Sequence, residues 1–70
     1  MLKVRRRPWS ETEPGSWALS NEHGQILGRV RLSVVRGWFA WYVLADGKDL
    51  IELGNEKTLA AAKLKVESLI

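Results

Sequence analysis

The stretch that decides the fold is Trp38-Phe39-Ala40-Trp41-Tyr42-Val43-Leu44-Ala45, followed by Asp46-Gly47 and then by Lys48-Asp49-Leu50-Ile51-Glu52-Leu53. Aromatic and branched side chains favour a pleated strand. An Asp-Gly pair between two such runs is a strong short-range signal for a hairpin. The spacing predicts strands over Trp38–Ala45 and Asp49–Leu53, with Ile51 and Leu53 pointing inward and Gly54-Asn55 ending the second. Side chains alternate across a strand. Phe39, Trp41 and Val43 therefore share one face, and Trp38, Ala40, Tyr42 and Leu44 share the other. Both faces are apolar enough to be partly covered.

Upstream, Gln25 to Val35 alternates with period two. Ile26, Gly28, Val30, Leu32 and Val34 fall on one side, and Leu27, Arg29, Arg31 and Ser33 on the other. This predicts a long strand with an apolar face and a basic face, and Gly28 marks a bulge or bend. Arg36-Gly37 is the turn into the aromatic run. Ser16 to Ser20 reads as a short strand with Trp17 and Leu19 on one face. Asn21-Glu22-His23-Gly24 supplies the next turn. Glu11 to Gly15 reads as a turn or loop because of Pro14-Gly15. Met1 to Arg7 reads as a basic arm, since three arginines run straight into Pro8.

Downstream, Thr58 suits a helix N-cap. Leu59, Ala62, Val66 and Leu69 repeat at helical spacing to about Ile70, and Ala60, Ala61 and Ala62 permit close packing on a sheet. A helix this short needs such packing. The expected fold is α+β: an antiparallel meander of three to four strands packed on one C-terminal helix, in the order ββββα. Residues 1–15 form arm and loop, and residues 16–70 form one domain. Trp17 and Trp41 belong to the core. One helix covers one face, which leaves the other open.

The chain has 70 residues and no cysteine, so disulfides and thiolate metal sites are excluded. A domain of this size has a thin core. No apolar run approaches the roughly 18 residues of a membrane span, and the basic N-terminus has no apolar segment behind it. A cytoplasmic protein without membrane contact is expected. Net charge is +3, but the signs come in blocks, which can make one face positive. Lys3, Arg5, Arg6 and Arg7 open the chain, and Glu11, Glu13 and Glu22 follow. Arg29, Arg31 and Arg36 come next, and Asp46, Asp49, Glu52 and Glu56 stand near Lys48.

Catalysis is not expected. The lone histidine, His23, sits in a turn, and Ser10, Ser16, Ser20 and Ser33 have no histidine spaced to activate them. Gly24, Gly28 and Gly37 are isolated and form no phosphate loop. Asp46, Asp49 and Glu52 lack the calcium-loop pattern. Neither cofactor nor metal is expected.

Two features point to nucleic acid. Arg5, Arg6 and Arg7 can pair with phosphates. Arg29, Arg31 and Arg36, with Trp38 and Tyr42, lie on or beside the open sheet face. A two- or three-stranded ribbon fits a major groove about 12 Å wide. The rival expectation is a protein-interaction module or homodimer that uses Trp38, Ala40, Tyr42, Leu44 and Leu50, since an uncovered apolar face marks an interface.

Residues 29–67 resemble the three-stranded-sheet-plus-helix DNA-binding domains of phage integrase arm-binding and plant ethylene-response-factor type. The matching residues are Gly37-Trp38-Phe39-Ala40-Trp41-Tyr42, Gly47-Lys48-Asp49, Leu53-Gly54, and Thr58 with Ala61, Ala62 and Lys63. The basic arm is also similar to that of the integrase domains. The resemblance implies a sheet in the major groove of double-stranded DNA, contacting it through Arg29, Arg31, Arg36, Trp38 and Tyr42. The chain departs from the pattern in its acidic hairpin tip, in Tyr42 and Leu44 where charge is common, and in the extra strand Ser16–Ser20. Its compact form also looks like that of small phage-encoded proteins, some of which act on host proteins.

Overall fold

The structure is a computed structural model that describes residues 9–70. The elements run β1 (Trp9–Glu13), β2 (Ser16–Ser20), β3 (Ile26–Leu32), β4 (Phe39–Ala45), β5 (Asp49–Glu56) and α1 (Leu59–Ser68). The five strands form one antiparallel sheet in the order β1-β2-β3-β4-β5, and α1 packs chiefly on β4 and β3. The fold is α+β, with one more strand than the upper expectation. The extra strand is β1, drawn largely from residues read as loop. Pro14-Gly15 does make a turn, with Gly15 at φ +83°, but it is the turn of a hairpin. The polar stretch before it pairs with β2, Trp9 opposite Leu19 and Glu11 opposite Trp17. An edge strand this polar shows no apolar alternation, so the sequence hides it.

The Asp46-Gly47 turn forms as expected. Both residues have positive φ, 54° and 68°, as a type I′ turn requires, and Lys48 N donates to Ala45 O at 3.0 Å. β5 continues through Gly54-Asn55 to Glu56, past the expected stop. The ladder explains this: Trp41 pairs with Gly54 and Tyr42 with Glu52, so Leu53 is an extra residue in a bulge. A bulge lets a strand pass a glycine without losing its partner.

The helix lies on the face of Leu19, Gly28, Val30, Trp41 and Val43. Leu19, Val30, Trp41, Ala62 and Val66 form the buried core, and Trp9, Trp17, Phe39, Val43 and Leu59 pack around it. Gly28 is buried beneath the helix, and a Cβ there would overlap Val66 Cγ1. It also flanks a bulge: Leu19 pairs with Gly28 and Ser20 with Ile26, which leaves Leu27 over. Thr58 caps the helix by accepting from Ala61 N at 3.1 Å. Trp9 ties β1 to the helix, its Nε1 donating to Glu67 Oε2 at 2.7 Å.

Several apolar expectations fail. Ile51 is 47% and Leu53 51% exposed rather than inward, and Leu32, Val34 and Leu69 are also exposed. Ten helical residues span about 15 Å, whereas five strands span about 19 Å. The helix packs on β4 and β3 and, to a lesser extent, on β5, and its ten residues do not cover the whole width of the face. No helix among the described residues is long and apolar enough to cross a membrane.

Candidate nucleic-acid interface

Among the described residues the second sheet face carries no helix, and the strand register orders its side chains into rows. Ala18 stands opposite Arg29, Arg29 opposite Tyr42, and Tyr42 opposite Glu52. In the next row Glu13 faces Ser16, Ser16 faces Arg31, Arg31 faces Ala40, and Ala40 faces Asn55. The floor is made of small residues. Ala18, Ala40 and Ser16 are 2%, 5% and 2% exposed although no helix lies above them.

Arg29 is half-buried and held in place. Its Nη1 donates to Ser16 Oγ at 3.0 Å, and Thr12 Oγ1 lies 3.3 Å from the same oxygen. An arginine already ordered loses less side-chain entropy when a ligand arrives. Arg31 is exposed and stands two residues along the strand, about 6.8 Å away on the same face. Tyr42 is half-buried between the Arg29 and Glu52 columns.

Trp38 lies just before β4. Its carbonyl accepts from Ser33 N at 2.9 Å and its own N–H donates to Val35 O at 3.2 Å, so it closes the β3–β4 loop. Gly37 within that loop has φ +87°. Arg36 is exposed beside it. Phe39 pairs with Glu56, and one step further along both chains Lys57 meets Trp38. The Lys57 ammonium sits 5.4 Å from the indole centroid, within the range of a cation–π contact.

No family model, curated protein or solved structure matches the chain.

Of the residues singled out from sequence, Arg29, Arg31 and Tyr42 share the open face, and Trp38 and Arg36 stand at its β3–β4 end. Arg5, Arg6 and Arg7 lie outside the described residues. Sequence reasoning missed Lys57, which reads as a linker before the helix. Counting the ladder outward from Asp46-Gly47 does reach it, but only when the bulge at Leu53 is allowed for. The apolar character expected here is reduced: Ala40 is buried, and Leu44 and Leu50 are half-buried. His23 is exposed in the β2–β3 turn, its backbone N–H bonded to Asn21 Oδ1 at 2.8 Å. Among the described residues no group of three or more His, Cys, Asp or Glu side chains is placed to hold a metal.

Proposed function

We propose that the chain is a small, non-enzymatic DNA-binding protein that works through the open sheet face. Arg29, Arg31, Arg36 and Lys57 supply contacts to phosphate, and Trp38 and Tyr42 supply aromatic surface. Arg5, Arg6 and Arg7 add positive charge from the N-terminal side. The observation that carries this reading is the clustering, on the sheet face that carries no helix among the described residues, of cations from two distant segments around two aromatic rings. Guanidinium groups suit phosphate oxygens, and each phosphate contact releases counterions.

The test is a fluorescence-anisotropy titration with labelled DNA at low salt. Binding should weaken linearly in a log–log plot against salt concentration. Arg31→Ala should make that slope shallower by about 0.7 to 0.9, the share of one phosphate contact. Absence of binding below about micromolar concentration, the weak end for non-specific DNA contact, would remove the reading.

A second reading keeps the interaction-module class but moves its surface. Leu32, Val34 and Val35 are all exposed around the start of the β3–β4 loop, and clustered exposed apolar groups mark contact surfaces. A homodimer formed there would elute as a dimer at high salt, and Val34→Asp with Val35→Asp would return it to monomer.

A further inference from the structure

The open face carries its charge in stripes, and their order limits what can lie on it. Arg29 and Arg31 stand on central β3, Arg36 follows in the loop, and Lys57 sits at Trp38. The two outermost strands bring carboxylates to the margins of these rows, Glu13, which pairs with Ser16 just past a bulge at Thr12 on β1, and Glu52 opposite Tyr42 on β5. The middle is positive and both margins are negative.

Strands lie about 4.8 Å apart, so the margins stand about 10 Å to either side of β3 and about 19 Å from each other. The major groove of a DNA duplex is about 12 Å wide. Three strands fit that width and five do not. A duplex pressed onto this face would bring its phosphate walls toward Glu13 and Glu52, where like charges repel. A single strand needs one line of positive charge with aromatic rings alongside. Sequence-tolerant binding of single strands has that general form, a backbone tracked by cations and bases stacked on π-faces.

We propose that the open face binds single-stranded DNA, with the phosphates following Arg29, Arg31 and Arg36 and the bases stacking on Tyr42 and Trp38. This rests on the DNA-binding reading above and specifies the form of the ligand. The acidic margins keep the strand centred on β3 and reject the second strand of a duplex. The half-buried setting of Tyr42 and the Lys57 contact under Trp38 hold both rings in place before a base arrives.

The test compares a labelled deoxythymidine oligomer of about 12 nucleotides, within the usual site range, with a blunt duplex of equal length at the same low salt. The oligomer is expected to bind more tightly. Tyr42→Leu and Trp38→Leu should each weaken it by about fivefold or more, and Tyr42→Phe should keep the affinity. Circular-dichroism melts check that each variant folds. Glu13→Gln with Glu52→Gln, both exposed positions, should raise duplex affinity more than oligomer affinity. A duplex bound as tightly as the oligomer would overturn the single-strand assignment and leave DNA binding standing. So would folded Tyr42→Leu and Trp38→Leu variants with unchanged affinity, or a Glu13/Glu52 variant with an unchanged preference. If neither DNA binds, both readings fall together.

Discussion

A methyl group on Gly28 would overlap Val66 Cγ1 and come within 3.1 Å of the Tyr42 carbonyl oxygen. The helix can therefore approach β3 only because residue 28 has no side chain. Gly28→Ala is expected to destabilise the domain by about 1–3 kcal/mol, the usual cost of overpacking, which lowers the melting midpoint by several degrees in a domain of about this size. A thermal melt that does not move would show that the helix can shift to accommodate the methyl. Trp9 makes a second residue-scale link. Its indole donates to Glu67 while the Lys63 ammonium sits 5.4 Å from the ring centroid, so one side chain fastens the edge strand to the helix. Trp9→Phe keeps an aromatic ring there but loses the hydrogen bond, worth about 1 kcal/mol. A double-mutant cycle with Glu67→Ala, read by denaturant unfolding, should return a coupling of that order. Gly28 was legible in the sequence as a special position, although as a bulge or bend. The bulge beside it is present, but the helix contact depends on a residue 38 positions away, and no local pattern carries that.

At the scale of elements, each turn follows from its own residues. Asp46-Gly47 adopts positive φ at both positions, and Asn21 Oδ1 accepts from the N–H groups of His23 and Gln25 at 2.8 and 2.9 Å. Thr58 ends the approach to α1 with its side chain on Ala61 N. Thr58→Ala should cost about 1 kcal/mol, seen as a lower urea midpoint with an unchanged slope. Strand β1 is the element that sequence alone does not disclose. Its side chains are polar because it is an edge with little to bury. Its pairing is set by Trp9, which reaches the core margin, and by the Pro14-Gly15 turn, which returns the chain. The exposure of Leu53 belongs to the same scale: period-two patterning assigns a face to a strand, and a bulge at Leu53 breaks the count, whereas Ile51 keeps its register opposite Val43 and is exposed on the edge strand.

Over the whole molecule, the groups that hold the fold and the groups proposed to hold DNA lie on opposite sides of one sheet. The core of Leu19, Val30, Trp41, Ala62 and Val66 is on the helix side, and Arg29 and Arg31 are on the other. Removing exposed charge from the open side should therefore leave stability nearly untouched, since surface substitutions are usually within about 0.5 kcal/mol. Arg31→Ala with Lys57→Ala is expected to weaken DNA binding while its melting curve overlays that of the parent. Loss of both together would mean that these cations serve the fold.

By itself the sequence determined the α+β class, the face of β4 that goes inward, the hairpin at Asp46-Gly47, the start of the helix and the grouping of Arg29, Arg31 and Tyr42. Each of these follows from local periodicity or from the conformational demands of single residues. Only the tertiary structure decided that β1 joins the sheet, that Lys57 meets Trp38, and that Glu13 and Glu52 border the basic stripe. Those facts depend on register across strands far apart in the chain, where one extra residue in a bulge reassigns every partner beyond it.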